Sequence, residues 1–100
     1  MADRPTAVFA ANDLSAIAII QVAAELGLEV PGDLSVIGFD DIPEASQMHP
    51  ALTTIRQPMK KLGATAASML VTLLNGESLS QNHVRLPTGL VRRATTAPPR

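Results

Sequence analysis

One hundred residues, 46% of them hydrophobic and 17% charged, suffice for one small folded domain and are too apolar for a disordered chain. A net charge of −1 gives no basic footprint for a phosphate backbone, and two aromatic residues, Phe9 and Phe39, make no stacking platform, so the chain is not expected to bind nucleic acid by itself. The lack of cysteine excludes disulfides and thiol catalysis and suits a cytoplasmic location. No secretory signal is expected at Met1-Ala2-Asp3-Arg4-Pro5, where no basic stretch leads into an apolar run, and no membrane span is expected anywhere.

Residues 7–11, Ala-Val-Phe-Ala-Ala, are apolar without alternation, the pattern of a strand buried on both faces of a parallel sheet. Asn12-Asp13 ends the run and supplies an N-cap for a helix over residues 14–26, with Gly27 as its stop. The apolar residues of that helix, including Leu14, Ile17, Ile20, Val22 and Leu26, lie nearly all the way round it. It therefore needs cover on a second side, from more protein or from a partner chain. Pro31-Gly32-Asp33 is a turn, and residues 34–39 read as a second buried strand ending at Asp40-Asp41. Gly38 inside it points to a close backbone approach. Strand, helix and strand make a βαβ unit with a right-handed crossover.

Residues 42–51, with Pro43 and Pro50, read as irregular, and residues 52–56 as a β-branched strand. Pro58 suits the first position of a second helix, closed by Asn75-Gly76. Met59, Leu62, Ala66, Met69 and Leu73 form one clean stripe on it, and Lys60 and Lys61 are expected to be solvated. Residues 76–82 are a polar loop and 84–93, with Pro87 and Gly89, suit an edge or crossing strand. The tail, 94–100, is expected to fray.

In an open parallel sheet, ligands bind beyond the carboxyl ends of the strands. Asn12-Asp13 and Asp40-Asp41 both fall there. An amide that donates and accepts, beside carboxylates that only accept, suits a hydroxyl-rich or amine-bearing molecule. Three other readings stay open: Asn12 and Asp13 only cap the helix, Asp40 and Asp41 only start a turn, or the paired carboxylates hold Mg²⁺ for phosphotransfer. The last needs a further ligand or a catalytic lysine at another strand end, and none is evident. His49 and His83 lack metal-ligand spacing and read as surface residues. With no phosphate loop or nucleophile motif, no catalytic residue, metal or cofactor is expected, and the chain does not read as an enzyme.

Five segments in order carry a more specific signal. They are Ala11-Asn12-Asp13; Glu25-Leu26-Gly27-Leu28-Glu29-Val30-Pro31-Gly32-Asp33-Leu34-Ser35-Val36-Ile37-Gly38-Phe39-Asp40-Asp41; Pro50-Ala51-Leu52-Thr53-Thr54-Ile55-Arg56-Gln57-Pro58; Leu62-Gly63 with Ala66; and Leu86-Pro87-Thr88 with Leu90, Val91 and Arg93. Together they resemble the lactose/galactose repressor family over essentially the whole chain. Two positions depart from its usual pattern: Ala18, where members often carry glycine, and Met59, near which they often carry an aromatic.

The resemblance implies a partial α/β fold of the type I periplasmic-binding-protein kind. It places residues 5–56 and 84–93 in the C-terminal lobe and 57–76 in one helix of the N-terminal lobe, and it implies that the helix-turn-helix module is absent from this stretch. It implies that Asn12 and Asp40 hydrogen-bond a small-molecule, sugar-like effector, with Gln57 and Met59 lining the pocket or hinge. It also implies a homodimer through the helix over 14–26, with Leu14, Ile17, Gln21, Met48 and His49 at the interface. The function implied is effector binding and dimerisation within a bacterial transcriptional repressor that reaches DNA only through another module. A solute-binding protein of the same fold is the alternative. Without the rest of the N-terminal lobe, the stripe from Met59 to Leu73 is expected to stay partly exposed.

Overall fold

A computed structural model describes residues 4–99. Its elements in chain order are β1 (Ala7–Phe9), α1 (Asp13–Glu25), β2 (Ser35–Ile37), α2 (Pro43–Gln47), β3 (Thr54–Arg56), α3 (Met59–Leu74) and β4 (Gly89–Val91). The chain forms two compact units. One comprises residues up to 56 together with those from 89 onward; the other is 57–88.

In the first unit, β1 and β2 pair in parallel, Val8 opposite Val36, as the βαβ pattern requires. The parallel arrangement continues to β3 through isolated bridges Ile37–Thr53 and Asp40–Arg56, with Gly38 N–H on Thr53 O at 3.0 Å and Asp40 N–H on Ile55 O at 2.8 Å. β4 then pairs antiparallel with β3. The spatial order is therefore β1-β2-β3-β4.

Both long helices end as their sequences predict. Asn12, in an extended conformation, accepts from Ser15 N–H at 2.8 Å through Oδ1 and starts α1. At the other end Gly27 takes φ +78°, Gly27 N–H bonds Ala24 O, and Leu28 N–H bonds Ala23 O. The same pair of bonds closes α3 around Gly76, from Gly76 N–H to Leu73 O and Glu77 N–H to Thr72 O. These are Schellman motifs, and the left-handed residue at their centre is glycine because a Cβ would be strained there.

The core is small and made largely of small side chains: Ala10, Ala16, Ala23 and Ala45 with Leu34, Val36 and Leu52. Alanines let α1 lie close against the sheet. Thr53, Thr54 and Thr95 are also buried.

Four expectations need correction. β1 is not buried on both faces: Ala7 and Phe9, which share one face, are exposed, and Val8 on the other face packs against the core. Within 42–51, α2 forms a short helix with Pro43 in its first turn, and it buries Ala45 completely. The strand expected over 84–93 is regular only at Gly89–Val91; residues 84–88 go with the second unit. Finally, the segment after β4 does not fray. Thr95 is fully buried, its backbone carbonyl accepts from Val36 N–H at 2.8 Å, and Ala97 N–H and O both bond the Ser35 hydroxyl at 3.0 Å.

The second unit holds α3 and the loop after it. Leu62, Ala66 and Met69 line an open cleft with Val84 and Leu86, so the loop returns along part of the predicted stripe. No residue of α3 is buried, and Met59 and Leu73 stay exposed, as expected for a stripe with so little to cover it.

Thr95 gives the first test. Its hydroxyl donates to Val36 O at 2.6 Å and accepts from Thr53 N–H at 2.9 Å. Thr95→Val keeps the shape and strands a buried N–H, so it should cost about 1–3 kcal/mol in a urea melt. An unchanged midpoint would mean the segment is not held there in solution.

Candidate functional site

The site grows from the carboxyl ends of β1 and β2. Past the paired residues the two segments stay bonded, Ala10 N–H to Ile37 O at 2.9 Å and Asp13 N–H to Phe39 O at 3.0 Å. The last of these bonds joins the neighbour of Asn12 to the neighbour of Asp40. Asn12 and Asp40 therefore share one rim, as the sequence predicts, and the two strands are direct neighbours.

Asn12 is the helix cap that its sequence context allows. Its Oδ1 is committed to the helix cap, which leaves the Nδ2 amide as the end that can donate to a ligand. Asp13 is wholly structural. It is fully buried, and its carboxylate accepts from Ile42 N–H at 2.7 Å and from the Thr54 hydroxyl at 2.5 Å. Gly38 must be glycine for the same reason: a Cβ there would run into Asp13 Oδ1 and would lie 2.9 Å from Leu52 Cδ2.

Asp40 and Asp41 are the only non-glycine residues with positive φ among those described, at 125° and 65°. Such conformations cost on the order of 1–3 kcal/mol each and persist where surrounding contacts enforce them. The Asp41 carboxylate supplies two of those contacts. Its side chain is 9% exposed; Oδ2 accepts from Arg56 Nε at 2.7 Å and Oδ1 from Arg93 Nη2 at 2.8 Å. Arg93 Nη1 also donates to Leu52 O at 2.9 Å, which fixes the guanidinium. Burial raises the Asp41 carboxyl, but the hydrogen bonds and charges of Arg56 and Arg93 together outweigh it and hold the group below its ordinary value of 3.8. With one guanidinium on each oxygen, Asp41 is not half of a Mg²⁺-holding pair.

Gln57 and Met59 lie in the second unit, one and three residues past β3; Gln57 is half-buried and Met59 exposed. Of the residues expected at a dimer interface, Leu14, Gln21 and His49 are exposed, while Ile17 and Met48 are half-buried and both pack against the core of the first unit. His83 is exposed too. Among the described residues, no three His, Asp or Glu side chains cluster as a metal cage. The sequence reading missed the structural roles of Thr54, Arg56 and Arg93. Only the pairing of each arginine with an acidic turn could have signalled them, and that pairing needs the fold.

Residues 1–96 match the model of the periplasmic binding protein-like domain. The chain belongs to that family. It is 44% identical over 96 residues to the lactose operon repressor of Rhizobium radiobacter, spanning 96% of this chain and 84% of the relative. It is likewise 44% identical over 94 residues to the HTH-type transcriptional repressor PurR of Yersinia pestis (strain Pestoides F), but there it spans only 28% of the relative. The solved dimeric Lac repressor with an 11-residue C-terminal deletion superposes with a TM-score of 0.86 at 41% identity, over 96% of this chain and 35% of that one. The family and the α/β fold expected from the motifs are thus confirmed, in its lactose/galactose-repressor branch, and these relatives are regulators rather than enzymes. No helix among the described residues is long and apolar enough to cross a membrane.

The lowered Asp41 carboxyl makes a second test. A depressed folded pKa contributes stability that is complete above the unfolded value of 3.8 and is lost as the pH falls through the folded one. Asp41→Asn should therefore cost about 1–2 kcal/mol at neutral pH, given that the Arg56 partner is largely exposed. Urea melts at successive pH values below 3.8 should show wild type and variant converging. A gap that does not narrow would exclude the ion pairs as its source.

Proposed function

We propose that this chain is the effector-binding and dimerising part of a bacterial transcriptional repressor, acting in the cytoplasm, with a small, sugar-like molecule as its effector. The observation that supports the reading is the shared rim, where parallel strands bring residues Asn12 and Asp40 to either side of the Asp13–Phe39 backbone hydrogen bond. On this reading the second unit, which holds Gln57 and Met59, corresponds to a helix of the N-terminal lobe, and the first unit to the C-terminal lobe. The lactose operon repressor among the relatives supports a sugar, and the repressor names favour regulation over simple solute binding. Effector contacts from two lobes would favour one angle between them, and a dimer would convert that angle into the spacing of two DNA-reading modules carried elsewhere in the protein.

Asp40→Ala in the full-length protein should weaken binding by roughly 2–4 kcal/mol, the scale of a lost charge-assisted hydrogen bond in a desolvated pocket. Titration calorimetry with lactose checks this, and unchanged affinity removes Asp40 from the site.

The dimer face is proposed to run along α1 through Leu14, Ile17 and Gln21, with Met48 and His49 beside it; a homodimer partner would cover the apolar side of α1 that this chain leaves open. Leu14→Glu, at a residue that this chain leaves exposed, would bury an unpaired charge there and should raise the dimer Kd at least about tenfold by analytical ultracentrifugation. A dimer of undiminished affinity would place the interface elsewhere.

A further inference from the structure

We infer that Asp41 is a positioning residue for Asp40: its two arginine pairs hold the 40–41 backbone in the conformation that sets the Asp40 carboxylate on the rim. This rests on the reading of Asp40 as a ligand contact, and it concerns a neighbour that itself touches no ligand.

The argument starts from what the backbone would otherwise do. Two successive non-glycine residues at φ 125° and 65° are not a conformation aspartates adopt unaided. The chain leaves β2 at Ile37 and stays bonded to β3 as far as Asp40 N–H on Ile55 O. It must then turn sharply, because Ile42 N–H is already held by the Asp13 carboxylate at 2.7 Å. The turn is thus fastened on both sides by bonds from backbone N–H groups, and the Asp41 side chain ties it further, to Arg56 and Arg93.

Those partners come from two different places in the chain. Arg56 is the last residue of β3, and Arg93 lies two residues past the end of β4. β3 and β4 are hydrogen-bonded neighbours, with Arg56 opposite Gly89. One carboxylate thereby ties the turn to both strands that connect the first unit to the second. Arg93 is the firmer anchor, 15% exposed and braced on Leu52 O, whereas Arg56 is 62% exposed. Loss of Arg93 should therefore loosen the turn more than loss of Arg56.

The test uses the ¹⁵N-labelled chain as it is, without ligand. Asp41→Asn is the informative substitution, because asparagine tolerates positive φ as well as aspartate does and only the charge is lost. Amide hydrogen exchange is read at Asp40, whose N–H reports the end of the β2–β3 pairing, and at Ala10 and Leu28, which report β1–β2 and the end of α1. The expected result is exchange on the order of tenfold faster at Asp40 with Ala10 and Leu28 unchanged. A changed H^N–Hα coupling at Asp40 and Asp41 should accompany it. Arg93→Gln should reproduce the effect, Arg93→Lys should restore part of it, and the exposed-site variant Arg56→Gln should give a smaller one if the others fold poorly. Acceleration of all three amides together would make Asp41 a general stabiliser and overturn the proposal, as would no change at Asp40. Failure of the ligand reading shows elsewhere, as unchanged lactose affinity of the full-length Asp40→Ala protein, and does not imitate either result.

Discussion

The Asp13 carboxylate has no exposed surface, yet two polar groups from separate parts of the chain converge on it: the Ile42 backbone N–H and the Thr54 hydroxyl. An isolated carboxylate buried this deeply would cost several kcal/mol or shed its charge. The two hydrogen bonds, together with its place in the first turn of α1, where the helix dipole favours an anion, offset that cost. Three elements thereby become one: the start of α1, the turn after β2, and β3. With a core of four alanines, one valine and two leucines, apolar burial alone gives this unit little means of fixing the relative heights of its helix and strands. A directional polar node does what bulk packing cannot, and the glycine at 38 follows from it, since the β2 backbone has to pass against the same carboxylate.

The rim is a by-product of that node. In each adjacent pair, one residue is tied into the fold by its carboxylate and its neighbour lies on the rim. Asp13 locks α1 to β3, which places Asn12 at the end of β1. Asp41 locks the turn to Arg56 and Arg93, which places Asp40 at the end of β2. Residues placed this way need no flexible loop to hold them. They inherit their rigidity from a buried neighbour, and rigidity is what limits the entropy lost when a small molecule binds.

Much of this was legible beforehand because its signals are local. Caps, glycine stops and unbroken apolar runs act over a few residues, so both long helices, the βαβ unit and the common rim of Asn12 and Asp40 could be read from residue order. What could not be read depends on partners distant in sequence. The fate of Thr95 is decided by backbone groups of Val36 and Thr53, some forty to sixty residues away. Nothing near Pro98-Pro99 hints that the preceding residues are tied down. Likewise, Asp-Asp after a strand looks the same whether it faces a ligand, a cation or two arginines, and only the antiparallel return of β4 brings Arg93 within reach. α2 was hidden for a different reason: five residues with Pro43 at the start are too few to show a helical period.

The same long-range ties lie within the first unit. Every residue of the buried core lies in the first unit, and α3 contributes none. The excursion 57–88 begins and ends on two strands that are register partners, Arg56 opposite Gly89, so its two ends are fixed side by side whatever the excursion does. Beyond β4 the chain does not simply stop but is fastened again, through Arg93 to Asp41 and Leu52 and through Thr95 to Val36 and Thr53. The crossing is therefore stiff on the side of the first unit. The turn after β2 and the ends of β3 and β4 thus share one carboxylate, that of Asp41, as their common anchor.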